Sequence, residues 1–109
     1  METNIKSEAN YDLLQLSGEV DLHFSPTLRE KILGSLKAGK ALLVDLEKVS
    51  YIDSSGIASL VEGFQTAKSA KLNYGLLNVS TPAMQVLTLT RLDKIFSLYS
   101  SADQFEASL

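Results

Sequence analysis

Residues 41–64 read ALLVDLEKVSYIDSSGIASLVEGF and contain the pattern of a strand, a turn and a helix. The apolar run at residues 41–46 predicts a buried strand. Farther along, apolar residues recur at the spacing of one helix face, namely Ile57, Leu60, Val61 and Phe64. The segment between them, Asp53-Ser54-Ser55-Gly56, is therefore predicted to be a strand-to-helix turn. Its two hydroxyl groups would lie at the positive end of a helix, which is a favourable place for a phosphate group.

The same alternation of strands and helices continues on both sides of this turn. Further strands are predicted at residues 3–8, 11–18, 72–79 and 95–99. Helices are predicted to begin at Ser25-Pro26, at Ser80-Thr81-Pro82 and at residue 101 or 102, with serine as the cap of the first two. Gly39 is predicted to end the first helix. This order predicts one α/β domain with a mixed, mostly parallel sheet of about five strands and about four helices.

The predicted topology indicates where partners would meet the domain. In open α/β sheets, ligands and partners contact the loops at the carboxyl ends of the parallel strands. Three loops are expected to gather there, at residues 19–25, 47–56 and 78–84. Candidate partner contacts in these loops are Asp21, Leu22, Phe24, Thr81 and Met84. For Leu22 and Phe24 two interpretations remain open, since either side chain could anchor a partner or pack beneath the first helix.

Composition excludes several classes of partner and site. The 109 residues include 10 basic and 13 acidic side chains, so the net charge is −3. No Lys/Arg cluster is present, which argues against binding to nucleic acid or to an anionic membrane surface and favours a protein partner. The chain has no cysteine, and therefore no disulfide or thiolate metal site. Without a bilayer-length apolar run or a secretory signal, the expected location is the cytoplasm.

Sequence patterns of common enzyme classes are missing as well. The serine turn is not a Gly-x-Ser-x-Gly elbow, and His23 is the single histidine that could serve as its base. The chain contains neither a phosphate-binding loop nor a Gly-x-Gly-x-x-Gly motif. We therefore expect no catalytic residue, no metal site and no cofactor, and we interpret the chain as a binding protein rather than an enzyme.

Three parts of the chain together match one family. They are Gly18-Glu19-Val20-Asp21 after the second strand, residues 44–46 with 49–56, and Pro82-Ala83 after the fourth strand. This pattern resembles the STAS domain, and within that group the bacterial anti-sigma factor antagonists. The resemblance covers nearly the whole chain, and Asp-Ser-Ser-Gly in its strand–turn–helix context is a fairly specific part of it.

The resemblance implies a phosphorylation switch. It implies that Ser54 is phosphorylated by a partner serine kinase of the ATP-binding type that is itself the anti-sigma factor. The unphosphorylated form would sequester this factor and so free a sigma factor for transcription, and a protein phosphatase would reset the switch. The immediate surroundings of the site would be Asp53, Ser55 and Gly56. Physical reasoning from the residues alone does not choose between the two hydroxyls.

Two neighbours of the serines have structural interpretations of their own. The Asp53 carboxylate is predicted to cap the N–H of Ser55 or Gly56. Gly56 costs a helix about 1 kcal/mol relative to alanine. Its presence indicates either close approach of a kinase or partner, which we favour, or packing against the sheet. One departure from the family pattern lies after the third helix, where Thr90-Arg91-Leu92-Asp93 stands in a segment that often contains glycine.

Alternative functions differ in how they depend on Ser54. STAS proteins also serve as constitutive accessory subunits of membrane lipid transport complexes, which can work without phosphorylation. Others are partner-switching regulators with a non-transcriptional output, or domains of larger anion transporters. The tandem serine favours the phosphorylation switch.

Overall fold

The computed structural model describes residues 2–109 and confirms the predicted order of strands and helices. The strands are β1 (Glu2–Ser7), β2 (Tyr11–Val20), β3 (Ala41–Ile52), β4 (Tyr74–Leu77) and β5 (Leu98–Tyr99). The helices are α1 (Ser25–Lys37), α2 (Ser54–Ala70), α3 (Thr81–Leu89) and α4 (Ala102–Ala107), with a short 3₁₀ helix at Leu92–Lys94. Within the described residues, every helix is too short or too polar to span a membrane.

The five strands form a single mixed sheet in the order β1-β2-β3-β4-β5. β1 pairs antiparallel with β2, and every later pair is parallel, as predicted. Strand–helix–strand crossovers are right-handed, and here each leads to the neighbouring strand. The first three helices therefore lie on one face of the sheet, where they share a single apolar core with it.

Each face of the sheet has its own core. The larger core lies under α1, α2 and α3, and its fully buried members include Leu14, Leu28, Ile32, Leu42, Leu60 and Leu87. The smaller core lies on the opposite face and consists of Tyr11, Ala41, Leu43, Leu77 and Phe105. Successive side chains of a strand point to opposite faces. The start of β3 is thus buried on both sides, which explains why its sequence is continuously apolar.

β3 is longer than predicted, because the segment after residue 46 pairs with the end of β2. The pairing of β2 with β3 contains two register shifts, each with one extra residue in β3, and Val20 pairs with Ile52 at its end. The prediction of a loop was wrong for residues 47–52, which belong to β3. Exposed polar residues give this segment the composition of a loop. β4 and β5 are shorter than predicted, and β4 pairs only with residues 42–45 of β3. The Asp53 turn therefore lies at the tip of a two-stranded extension.

The start of α1 corrects the prediction that Ser25 is its cap. Phe24 occupies the N-cap position, and Ser25 is the buried first residue of the helix. Asp21 supplies the acceptors instead. Its Oδ1 accepts hydrogen bonds from the N–H of His23 at 3.0 Å and of Phe24 at 3.3 Å. Asp21, a predicted partner contact, therefore has a structural role in the turn before α1.

Two other predicted helix ends are confirmed. Ser80 caps α3, since its Oγ accepts a hydrogen bond from the N–H of Ala83 at 3.4 Å. Gly39 follows the end of α1 with φ of +81°. Glycine enters this left-handed region without the steric cost that a side chain adds.

The chain leaves α3 through Arg91, which has φ of +61° and ψ of +16°. Arg91 lies in the segment where the family resemblance suggested a glycine, and its side chain is exposed. The left-handed conformation costs an L-residue with a side chain roughly 1–2 kcal/mol. The backbone here keeps the geometry suited to glycine, although the sequence does not supply one.

Replacing Arg91 with glycine is expected to raise the free energy of unfolding by about 0.5–1 kcal/mol, because strain relief exceeds the added entropy of the unfolded chain. Urea unfolding measures this change. Arg91→Ala is the matched control, since it removes the side chain but keeps the strain, and it should give no gain. Equal stabilisation by both variants would show that backbone strain is not the cause.

Candidate functional site

The turn between β3 and α2 is organised by the Asp53 carboxylate. Asp53 is the N-cap of α2, as predicted, and has an extended backbone. Its Oδ1 accepts hydrogen bonds from the N–H of Ser55 at 2.9 Å and of Gly56 at 3.1 Å. The same oxygen accepts the Ser55 hydroxyl at 2.5 Å. One carboxylate oxygen thus satisfies two free N–H groups of the first helical turn and one side chain.

The other carboxylate oxygen ties this turn to the loop between β2 and α1. Asp53 Oδ2 accepts a hydrogen bond from the N–H of Leu22 at 3.1 Å, across 31 residues of sequence. The Asp53 N–H donates in turn to the carbonyl of Val20 at 3.1 Å. Two of the three predicted loops are therefore joined at Asp53.

These hydrogen bonds hold Asp53 in its ionised form. The Ser55 hydroxyl is the largest influence that lowers the pKa of the Asp53 carboxyl below its usual value. The N–H groups of Gly56, Ser55 and Leu22 act in the same direction, while partial burial opposes them. The turn consequently carries a fixed negative charge at neutral pH.

The two serines of the turn have different environments. Ser54 is the first residue of α2 and is exposed, whereas Ser55 is half-buried. Ser55 donates its hydroxyl hydrogen to Asp53. Within residues 2–109, the Ser54 hydroxyl has no hydrogen-bond partner. Of the two hydroxyls, that of Ser54 is therefore the accessible one.

Gly56 faces the sheet, not the solvent. A Cβ atom at this position would lie 2.7 Å from Ile52 Cγ1 and 2.8 Å from Val20 Cγ1, which is too close for a real side chain. Gly56 is buried accordingly. The favoured interpretation, that glycine lets a kinase or partner approach closely, is therefore corrected. The glycine allows α2 to pack closely on the tip of the β2–β3 extension.

Contacts with α1 fix the first two turns of α2. The buried Ser59 hydroxyl lies 3.3 Å from the Ser25 carbonyl and 3.2 Å from the Ser55 carbonyl. Farther along, Arg29 forms an ion pair with Glu62, with N–O distances of 2.7 and 2.8 Å. Sequence reasoning missed the two contacts between α1 and α2, because their partners are more than 30 residues apart and no local pattern connects them.

Exposed apolar side chains surround the turn. Leu22 is 73% exposed, and Tyr51, which sequence reasoning did not select, is 50% exposed. Phe24 is half-buried, and its ring packs edge-on against that of His23 at 5.1 Å between centroids. Phe24 thus contacts His23, while Leu22 is largely exposed in the loop that is tied to Asp53.

The third predicted loop is attached to β3 at Val49, before the Asp53 turn. The Ser80 hydroxyl donates to the carbonyl of Val49 at 2.6 Å, which fixes the start of α3 against β3. Val49 precedes Asp53 by four residues, or roughly 13 Å along an extended strand. Thr81 is exposed and Met84 is half-buried against the larger core. Both residues remain candidate partner contacts.

Comparison with known sequences identifies a family for nearly the whole chain. The family described as STAS domain matches residues 4–105. Among curated proteins, the anti-sigma-B factor antagonist of Bacillus subtilis (strain 168) is 27% identical over 103 residues, which cover 94% of this chain and 94% of that protein.

Solved structures share the fold. The crystal structure of an anti-sigma factor antagonist from Mycobacterium paratuberculosis superposes with a TM-score of 0.84 at 25% identity, covering 98% of this chain and 92% of that chain. SpoIIAA, described as a Bacillus cell fate determinant, has been solved in its phosphorylated form. That structure gives a TM-score of 0.75 at 20% identity and covers 94% of this chain and 95% of that chain. The structure of SpoIIAA in its unphosphorylated form gives a TM-score of 0.81.

Proposed function

The chain belongs to the STAS domain family, and on that basis we propose that it is an anti-sigma factor antagonist switched by phosphorylation of Ser54. With Ser54 unmodified, it binds and sequesters an anti-sigma factor that is also an ATP-dependent serine kinase. The sigma factor is then free to direct transcription. Phosphorylation by that kinase releases the complex, and a protein phosphatase restores the binding form. The protein acts in the cytoplasm as a binding module and not as a catalyst.

The observation that carries this proposal is the state of the Ser54 hydroxyl. It is exposed and has no hydrogen-bond partner within residues 2–109. It also lies at the N-terminus of a 17-residue helix, whose positive end favours an anion. A kinase therefore meets an unobstructed acceptor whose phosphorylated form the fold can accommodate.

The relatives support the same interpretation. The Bacillus subtilis relative is named an anti-sigma-B factor antagonist, and the match covers nearly its full length. SpoIIAA is described as an anti-sigma factor antagonist in its unphosphorylated structure and has also been solved in a phosphorylated form. A phosphorylation switch in this chain would be of the same kind.

Electrostatics explains how one phosphate could control binding. Phosphorylation adds about −1.5 to −2 charge. At a helix N-terminus this charge is favourable by roughly 0.3–1 kcal/mol, although repulsion from Asp53 reduces the gain. The domain therefore stays folded. In a packed interface, a buried charge left without a partner costs about 2–5 kcal/mol, and binding is lost.

The proposed binding surface is centred on the Asp53 turn. Leu22 supplies an exposed apolar contact in the loop bonded to Asp53, and Asp21 and Phe24 shape that loop. Thr81 and Met84 would contact the same partner at the edge of this surface. Their separation from the turn is compatible with one interface, since a typical interface covers about 800 Å² on each protein and so extends about 30 Å.

Phosphate mapping by mass spectrometry tests the proposal. The chain is purified from cells of its source organism, sampled in growth and in stationary phase, as the parent protein and as Ser54→Ala and Ser55→Ala. We expect phosphate on Ser54 in the parent and in Ser55→Ala, and none in Ser54→Ala. A parent protein that carries no phosphate, or carries it on Ser55 alone, would show that the proposed switch is wrong.

A further inference from the structure

We propose that the Asp53 carboxylate directs phosphorylation to Ser54 by withholding Ser55, an inference that rests on the proposed function. The two serines are adjacent residues of the first turn of α2 and carry the same hydroxyl group. A kinase that accepts one of them meets the other a few ångströms away. The selection between them therefore has to come from their surroundings in this chain.

Asp53 holds the second hydroxyl firmly. The Ser55 Oγ lies 2.5 Å from Asp53 Oδ1, which also accepts the N–H groups of Ser55 and Gly56. Asp53 Oδ2 is occupied by the N–H of Leu22. Three of these four hydrogen bonds come from the first turn of α2 and one from the loop between β2 and α1, so the carboxylate cannot turn away without breaking contacts on both sides. Ser55 is kept half-buried in the same arrangement.

The chemistry of phosphoryl transfer makes this contact unfavourable for Ser55. In the reaction, the serine oxygen bonds to the γ-phosphorus of ATP while the bond from that phosphorus to the ADP oxygen breaks, and the hydroxyl proton passes to a base of the kinase. At Ser55 that proton points into the protein, toward Asp53. The incoming phosphate would have to approach an anionic carboxylate at hydrogen-bonding distance.

The product is disfavoured for the same reason. A phosphate on Ser55 Oγ would have no hydrogen left to share with Asp53, and two anionic groups would be in contact. Ser54 avoids both problems, because its exposed hydroxyl makes no bond to Asp53. Asp53 is thus a positioning residue that acts through Ser55 and does not itself touch ATP.

Two substitutions separate the carboxylate charge from its capping role. Asparagine is as good an N-cap as aspartate, so Asp53→Asn keeps the cap at Oδ1 and removes the charge, together with the acceptor for the Leu22 N–H. Asp53→Ala removes the cap as well. Each variant is purified from cells of the source organism, and the ratio of phosphate on Ser55 to phosphate on Ser54 is measured by mass spectrometry. We expect both variants to raise this ratio at least about tenfold over the parent, because each removes the charge that strengthens the bond to the Ser55 hydroxyl and repels an incoming phosphate.

A double variant provides the most direct comparison. Ser54→Ala alone should carry no phosphate, whereas Ser54→Ala combined with Asp53→Asn should carry it on Ser55. An increase in Asp53→Ala but not in Asp53→Asn would assign the effect to the helix cap and overturn the inference. Phosphate confined to Ser54 in both single variants would overturn it too, while leaving the proposed function intact. Absence of phosphate from the parent would instead reject the proposed function.

Discussion

Replacing Ser54 with aspartate is expected to weaken binding of the proposed partner, an anti-sigma factor, by at least about 30-fold. This factor corresponds to roughly 2 kcal/mol, the lower end of the cost of an unpaired charge in an interface. The aspartate carries a permanent negative charge at the first residue of α2, beside the ionised Asp53. Ser54→Ala should bind within a few-fold of the parent, because the Ser54 hydroxyl has no partner to lose within residues 2–109. Isothermal titration calorimetry with the purified anti-sigma factor measures both affinities.

Folding and binding have to be separated in this experiment. Aspartate at a helix N-terminus is favourable by roughly 0.3–1 kcal/mol, so Ser54→Asp should unfold at the same temperature as the parent or slightly above it. Ser69→Asp makes the same charge change at an exposed residue of α2, roughly 22 Å along the helix axis, and should leave the affinity unchanged. Equal binding by Ser54→Asp and Ser54→Ala would contradict a phosphorylation switch at this position.

Replacing Phe105 with alanine is expected to lower the free energy of unfolding by about 3–5 kcal/mol. Phe105 is fully buried, and its ring packs edge-on against Tyr11 and Tyr99, with centroids 5.3 Å away in each case. It is the buried residue of α4, a helix of six residues that is too short to be stable without packing. Since small domains are stable by only about 5–15 kcal/mol, the loss should be visible in urea unfolding at 25 °C.

The region that Phe105→Ala destabilises provides a second test of this prediction. Amide hydrogen exchange should increase first at Ser108 and Leu109, whose N–H groups donate to carbonyls of α4. The matched control is Leu89→Ala, since Leu89 is 84% exposed on α3 and its loss should change stability by no more than about 0.5 kcal/mol. A loss below about 1 kcal/mol in Phe105→Ala would be too small for a buried aromatic ring, and would mean that α4 does not cover the second face of the sheet.

Much of the architecture follows from local patterns. The apolar run at residues 41–46, the helical spacing after Gly56 and the proline at the start of α3 each predict one element, and together they give the observed order. The Asp53 cap was predictable for the same reason, because a carboxylate two or three residues before the free N–H groups can reach them by itself. Interactions between near neighbours in sequence need no knowledge of the rest of the fold.

Predictions failed where distant residues change the outcome. Residues 47–52 resemble a loop, yet they form a strand because the end of β2 pairs with them. Ser25 has the side chain of a cap, but Asp21 supplies the acceptors before α1. The sequence suggests that Gly56 lets a partner approach closely. In the fold, the side chains of Val20 and Ile52 leave no room for a larger residue at this position. In each case the deciding contact is absent from the local pattern.

The strand-to-helix turn at Asp53 combines both kinds of information. Its position, its cap and the presence of two adjacent hydroxyls are properties of the sequence, because they depend on residues within one helical turn. The difference between those hydroxyls is a property of the folded domain. Ser55 is half-buried and bound to a carboxylate that Leu22 holds in place from 31 residues away, while Ser54 is left exposed. Side-chain burial and hydrogen-bond direction depend on such distant neighbours, so the accessible serine emerges only when the chain is folded.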